Sequence, residues 1–95
     1  MGSYVIRLKV LPTDTDVDSQ KLLGSISSSL GAERPIRSNR VEPIAYGLYA
    51  LVIDVVVPEV EGAIDSVEQT VSEAPMVGQY ELLGVSRLSS TLHKS

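Results

Sequence analysis

The segment Leu48–Val57 constrains the fold more than any other part of the chain. Nearly all of its residues are apolar, Val and Ile dominate, and Asp54 is its single charge, a composition typical of a β-strand. Pro58 ends the strand. Just before it, Pro43 and Gly47 enclose a short segment that is not ordinary strand interior, because proline lacks a backbone donor and glycine allows unusual dihedral angles. The pattern therefore predicts a turn fixed to a rigid sheet.

The rest of the chain alternates between the periodicities of strands and helices. Alternating apolar residues predict strands, whereas apolar residues three or four positions apart predict helices. Charged side chains on a short strand suit the edge of a sheet, where they discourage pairing with other chains. The predicted elements are a strand over Tyr4–Leu11, a helix carrying Leu22, Leu23, Ile26 and Leu30, an edge strand over Ile36–Val41 with Arg37 and Arg40, the strand Leu48–Val57, a helix carrying Ile64, Val67, Val71 and Ala74, and a strand over Val77–Leu88.

The order strand, helix, strand, strand, helix, strand predicts the ferredoxin-like α+β fold. In that fold two helices cover one face of a four-stranded antiparallel sheet. We expect one such domain over residues 1–88, followed by a polar, disordered tail over Ser89–Ser95. The first and third strands are neighbours in this fold, so Arg7 or Lys9 should pair with Asp54 on the sheet face that carries no helices.

The composition limits the class of partner. The chain has 95 residues, no cysteine and a net charge of −4. Domains that bind nucleic acid usually have a basic face and a high pI, so this charge argues against direct nucleic-acid binding. No apolar run approaches the roughly 20 residues of a membrane helix, so no membrane partner is expected. The absence of cysteine fits a reducing compartment, and we expect a cytoplasmic protein.

No arrangement of reactive side chains predicts an enzyme, a metal site or a cofactor. Asp14, Asp16 and Asp18 have the spacing that begins an EF-hand loop, but Ser19 and Ser25 occupy the positions that require glycine and glutamate. These acids instead suit the N-terminus of the following helix. The only histidine lies in the tail, and no glycine-rich phosphate loop is present.

Three features remain open to a binding role on the residues alone. Arg34, Arg37 and Arg40 form a basic stretch, but RNA recognition motifs stack bases on aromatic rings, and only Tyr4 or Tyr49 could supply one. RNA binding is therefore the weaker hypothesis. The ring at position 46 either packs back onto the core or projects from the turn towards a partner. The arginine at position 87 is by default a solvated charge.

Six short motifs occur in the order and spacing of a known family. They are Val10-Leu11-Pro12, Asp16-Val17-Asp18, Glu42-Pro43-Ile44-Ala45-Tyr46-Gly47-Leu48, Val55-Val56-Val57, Glu61-Gly62 and Val85-Ser86-Arg87-Leu88. With these motifs the chain resembles, over nearly its whole length, the guanine-nucleotide exchange domain of translation elongation factor 1 beta in its archaeal form. The segment from Pro43 to Gly47, with an aromatic residue before the glycine, is the most specific of them.

The resemblance implies a ferredoxin-like exchange factor that promotes GDP release from the translation GTPase elongation factor 1 alpha so that GTP can rebind. It implies that the aromatic residue of the turn enters an apolar pocket of the GTPase. It further implies that the cation near the end of the last strand approaches the magnesium and phosphate site. The implied partner-binding residues are Pro43, Ile44, Tyr46, Gly47, Arg87 and Leu88.

Two other functions compete with nucleotide exchange. The first is a regulatory or assembly module that uses the open sheet face, with Val52 and Val56, for self-association or small-ligand binding. The second is an enzyme of the acylphosphatase kind, which shares the fold but needs a phosphate-binding loop that the sequence lacks. Because a fold hosts many functions, the choice depends on the site residues.

Overall fold

A computed structural model describes residues 2–89 of the chain. Its four strands form one antiparallel sheet in the order β2-β3-β1-β4, and its two helices follow β1 and β3. This is the predicted ferredoxin-like α+β arrangement, and the prediction is confirmed. The elements are β1 (Gly2–Pro12), α1 (Ser19–Leu30), β2 (Ile36–Pro43), β3 (Tyr49–Pro58), α2 (Ala63–Glu73) and β4 (Val77–Ser89).

β1, β2 and β4 are slightly longer than the sequence pattern predicts, and β3 has the predicted length but is shifted by one residue. Pro12, Pro43 and Pro58 are the last residues of their strands and do not lie beyond them. A proline can end a strand because only its own N–H is missing from the ladder. β4 includes the backbone of Ser89, and the rest of the predicted tail lies outside the described residues.

The core lies between the helices and one face of the sheet. Alternate residues of the two central strands point into it, among them Ile6 in β1 and Ile53 in β3, and both are fully buried. The helices contribute Leu22 and Val67 at the predicted spacing. Burial of each such side chain contributes about 1.5–3 kcal/mol, so these packed faces offset the weak helix propensity of the serine-rich α1. Neither helix in the described part of the chain is long and apolar enough to cross a membrane.

The three arginines of the predicted basic stretch, Arg34, Arg37 and Arg40, do not lie on one surface. Arg34 lies on the helical side, where its guanidinium donates to the Leu30 carbonyl (3.0 Å), the Ser66 hydroxyl (3.1 Å) and the Thr70 hydroxyl (3.0 Å). It therefore closes the C-terminal end of α1 and ties that end to α2. Arg37 and Arg40 lie on β2, which is an edge strand as predicted.

The tyrosines at positions 4 and 49 do not offer rings to the open sheet face. Tyr4 and Tyr49 both pack against the core cluster on the helical side. The Tyr49 hydroxyl also donates to the Val17 carbonyl at 2.7 Å. Partial burial, with the nearby charge of Asp18 as a second cause, raises the pKa of Tyr49 above its usual range. The open face consequently lacks the stacking platform that the RNA hypothesis requires.

Candidate functional site

The turn between β2 and β3 holds the ring of Tyr46 in solvent. The Leu48 N–H donates to the Ala45 carbonyl (3.0 Å), and the two residues between them have positive φ, 58° at Tyr46 and 78° at Gly47. Positive φ at both central positions characterises the type I′ turn, which matches the twist of a hairpin. Glycine reaches this region freely, whereas a tyrosine there costs about 1–2 kcal/mol. The fold therefore tolerates backbone strain in order to place a tyrosine at this point.

The surface around the turn is apolar as well as exposed. Tyr46 is 95% exposed, and Ile44 and Leu48 on either side of it are 48% and 39% exposed. Pro43 is also exposed and closes β2 opposite Tyr49. The prediction that the tyrosine ring projects from the tip of the turn is confirmed, and the alternative that it packs onto the core is wrong. A rigid hairpin that presents an aromatic ring among aliphatic side chains has the composition of an interface hot spot.

Arg87 and Leu88 lie at the other end of the sheet. Arg87 pairs with Tyr4 near the start of β1. The turn that carries Tyr46, called the tyrosine turn below, immediately precedes β3 and therefore lies at the opposite end of the sheet. At roughly 3.3 Å per residue, the length of β3 separates the two ends by about 30 Å. The predicted contacts thus form two patches, with Tyr46 in one and Arg87 in the other, and no single small pocket can contain both.

The Arg87 guanidinium is not a free solvated charge. It forms an ion pair with the carboxylate of Glu59, just after β3. The Glu59 N–H donates to the Gly2 carbonyl (3.2 Å), which anchors this acid beside the ends of β1 and β4. No local pattern in the sequence relates Glu59 to Arg87, because the two residues are 28 positions apart. Leu88 pairs with Ser3, lies on the open face and is 42% exposed.

The centre of the open face carries the predicted pair between β1 and β3. Arg7 lies opposite Asp54 and donates to both carboxylate oxygens, from Nε at 2.8 Å and from Nη2 at 3.0 Å. The Ser38 hydroxyl is 3.2 Å from the same carboxylate. Asp54 is only 5% exposed, so these donors compensate for lost hydration. The prediction that Arg7 or Lys9 pairs with Asp54 is confirmed for Arg7.

The hydrogen bonds of this pair shift both pKa values. Donation from Arg7 is the main cause that holds the pKa of Asp54 below its usual range, although burial opposes it; Ser38 and the charge of Arg37 add to the lowering. The same bond raises the pKa of Arg7 above its ordinary value. Asp54 is therefore a structural anion with its charge satisfied, and it has neither the raised pKa nor the partner of a general base.

Two irregularities in the edge strands shape the surface around this pair. The register shifts between Ile36 and Ser38 on β2, and it shifts again on β4 beside Leu83. Each shift inserts one extra residue, Arg37 on β2 and Leu83 on β4, and both side chains line a shallow cavity over the Arg7–Asp54 pair. The cavity has a volume of about 310 Å³, and its wall includes Val5, Ser86, Arg87 and Leu88.

Within residues 2–89, no three His, Asp or Glu side chains come close enough to hold a metal ion. The histidine that the sequence analysis considered, His93, lies outside the described residues. The carboxylate of Asp18 caps α1 by accepting from the Gln20 N–H at 3.2 Å, in line with the structural interpretation of that acidic run.

The profile of the EF-1 guanine nucleotide exchange domain matches residues 5–88. The chain belongs to this family. Two archaeal proteins called elongation factor 1-beta support the assignment. That of Saccharolobus solfataricus is 38% identical over 89 residues, which are 93% of this chain and 98% of the relative. That of Methanocorpusculum labreanum is 35% identical over 88 residues, 93% and 99% of the respective chains.

Membership in this family confirms the predicted resemblance and the prediction of a guanine-nucleotide exchange factor of translation elongation. The family match includes residues of all six secondary-structure elements, and both patches lie within the matched part of the chain. The individual contacts at Pro43, Ile44, Tyr46, Gly47, Arg87 and Leu88 stay predictions.

Proposed function

We propose that this protein promotes GDP release from the translation GTPase elongation factor 1 alpha in the cytoplasm, so that GTP can rebind. The exposed tyrosine on its strained turn is the observation that carries the proposal. A ring that is 95% exposed at a positive φ adds nothing to the core and costs backbone strain. Such a residue is best explained by a partner that receives it.

The tyrosine turn supplies binding energy in this proposal. An aromatic anchor surrounded by aliphatic residues typically contributes about 2 kcal/mol or more when it enters a pocket. Pro43, Ile44 and Gly47 keep the anchor in place, because they fix the end of β2 and the geometry of the turn. The hairpin is part of a four-stranded sheet, so little conformational entropy is lost when the ring binds.

Arg87 acts at the nucleotide site in this proposal. Magnesium bridges the phosphates of a bound nucleotide and neutralises them. A guanidinium that approaches this position competes with the metal and lowers the affinity of the GTPase for GDP. Binding of the factor and binding of the nucleotide then oppose each other, and linkage requires the destabilisation to be mutual. No covalent step is involved, and the protein needs no cofactor of its own.

The separation of the two patches fits this division of tasks. A partner that contacts both Tyr46 and Arg87 must extend over about 30 Å, the length of the central strands. Because the sheet is rigid, anchoring the turn at Tyr46 also fixes the position of Arg87 at the far end. A small ligand cannot span this distance, so the proposal requires a macromolecular partner.

The test is release of a fluorescent GDP analogue from the cognate elongation factor 1 alpha. We expect Tyr46→Ala to weaken complex formation by about thirtyfold, corresponding to about 2 kcal/mol, with little change in thermal stability. We expect Arg87→Ala to slow release at saturating factor more than it weakens binding, because its interaction forms only as the nucleotide site is disrupted.

Magnesium provides the internal control for Arg87. Removal of the metal with a chelator should shrink the difference between wild type and Arg87→Ala, since the chelator then performs the task of the guanidinium. Lys21→Ala on the exposed surface of α1 is the matched loss of one cation and should exchange like wild type. If Arg87→Ala is as fast as wild type at every magnesium level, the proposed role of this residue is wrong.

A further inference from the structure

The open sheet face has a charge that the rest of the molecule does not share. Its described basic residues are Arg7, Lys9, Arg37 and Arg40, and its acids are Glu42, Asp54 and Glu81. The helices and loops on the other side carry most of the acidic residues and only Lys21 and Arg34 as cations, and Arg87 near the end of β4 is paired with Glu59. A protein with a net charge of −4 thus has one face on which cations are in excess.

Arg37 and Lys9 are the cations of this face that form no ion pair among the described residues, and of the two only Arg37 lines the cavity. Arg7 is bound to Asp54, Arg40 is paired with Glu42 at 2.6 Å, and Arg87 contacts Glu59. By contrast, Arg37 makes no ion pair and no side-chain hydrogen bond with the residues that the structure describes. Asp54 near it is already satisfied by Arg7 and Ser38. The Arg37 charge therefore remains available at the cavity.

The β4 side of the cavity carries two leucines, Leu83 and Leu88, together with Ser86 and Arg87. Leu83 is 45% exposed and is brought to the cavity by the β4 bulge, and Leu88, further along β4, lines the end of the cavity near Ser3. Bulges re-aim side chains and are frequent beside functional sites. Here two separate bulges, one on each edge strand, direct an arginine and a leucine to one cavity.

We infer that this cavity is a third contact for the same GTPase partner, and that it receives an acidic side chain flanked by apolar residues. The inference rests on the proposed function, because the cavity is continuous with Leu88 in the predicted contact patch. A partner that reaches from the tyrosine turn on β2 and β3 to the end of β4 can cross the open face diagonally, and the cavity lies on that line. Arg37 pairs with the carboxylate, and Leu83 and Leu88 pack against its neighbours.

A protein partner fits the cavity better than RNA does. No aromatic ring lines the cavity, and the four tyrosines lie elsewhere, three on the helical side and one at the turn. Single-stranded RNA binding depends on stacking on such rings. One unpaired guanidinium beside exposed leucines is the chemistry of a protein interface core, where arginine and apolar side chains are enriched.

The test compares two charge reversals of equal size. Arg37→Glu and Lys21→Glu each change the net charge by two units, one on the open face and one on α1. The affinity of each variant for nucleotide-free elongation factor 1 alpha is measured by calorimetry at low and at moderate salt. We expect Arg37→Glu to bind at least tenfold more weakly and Lys21→Glu to remain within twofold of wild type. Arg37→Gln, which introduces no new acid beside Asp54, should bind about three- to tenfold more weakly, and Leu83→Ser should weaken binding severalfold.

The outcomes separate this inference from the proposed function. Wild-type release of GDP combined with unchanged binding by Arg37→Glu and Arg37→Gln would overturn the third contact and leave the exchange function intact. Failure of the wild-type protein to bind the GTPase or release GDP would overturn the proposed function and the inference together. Binding of a fluorescent single-stranded RNA that is lost in Arg37→Glu, with GTPase affinity unchanged, would overturn the assignment to a protein partner.

Discussion

Replacement of Tyr46 by asparagine tests separately how this residue affects the free energy of unfolding and how it affects nucleotide exchange. Since Tyr46 is 95% exposed, truncation exposes at most about 10 Å² of additional surface, which corresponds to about 0.3 kcal/mol at most. Asparagine, however, adopts a left-handed conformation more readily than tyrosine, and the φ of 58° at this position costs tyrosine about 1–2 kcal/mol. The free energy of unfolding should therefore be unchanged or rise by up to about 1 kcal/mol.

The same substitution should damage exchange. Loss of an aromatic anchor at an interface costs about 2 kcal/mol or more, which is about thirtyfold in affinity. The assay measures thermal unfolding and release of fluorescent GDP on the same preparation. For a domain of 95 residues, a gain of 1 kcal/mol raises the Tm by about 4–8 °C. Leu22→Ala is the opposite control, because it removes a buried side chain, costs about 2–5 kcal/mol and leaves the folded protein competent.

One pattern of results would refute this reasoning. A Tyr46→Asn variant whose Tm falls by several degrees while exchange stays normal would mean that the ring packs on the protein in solution. The exposed tip would then have no part in binding. If the variant exchanges normally and is more stable than wild type, the backbone at Tyr46 is strained, but its ring has no role in partner binding.

Two further predictions concern the fold beneath the site. A Cβ on Gly78 would lie 2.7 Å from the Pro12 carbonyl oxygen, so Gly78→Ala should cost about 1–3 kcal/mol in urea unfolding, whereas Gly84→Ala meets no atom within 4 Å and should change stability by less than about 0.5 kcal/mol. Equal effects of the two variants would contradict the close approach at Pro12. Because the folded pKa of Asp54 is lowered, its contribution to stability is complete above the ordinary value near 3.9 and is lost as the pH falls through the lowered pKa. The stability difference between wild type and Asp54→Asn should therefore shrink between about pH 5 and pH 2, and a difference independent of pH over that range would exclude the ion pair with Arg7 as its source.

The sequence was sufficient for those features that depend on local periodicity. Alternation in β1 and β3 assigned each side chain to a face, and the element order made these strands neighbours. These two facts together predicted the pair between Arg7 and Asp54, which the structure confirms. The tyrosine turn was also readable, because the proline and glycine around it have strong local preferences.

The cavity on the open face could not be predicted in the same way. It depends on register shifts in β2 and β4, and a shift depends on the fit between neighbouring strands more than on either sequence alone. The isolated Gly84 within a strand pattern was the one available signal of a bulge beside Leu83. The pairing of Arg87 with Glu59 was similarly hidden, because it joins the ends of different strands.

The sheet order has a consequence for how this chain folds. β1 is synthesised first, yet its two neighbours are β3, some 47 residues later at the Arg7–Asp54 pair, and β4, which pairs Gly2 with Ser89. A central strand with such distant partners gives the molecule a high contact order, and loop-closure entropy must be overcome before either pairing forms. During translation the first strand therefore waits with both edges unpaired, and it gains its second neighbour only when β4 has left the ribosome. A circular permutation that places β4 directly before β1 shortens the sequence separation between these two strands. It should therefore accelerate folding while leaving the native sheet unchanged.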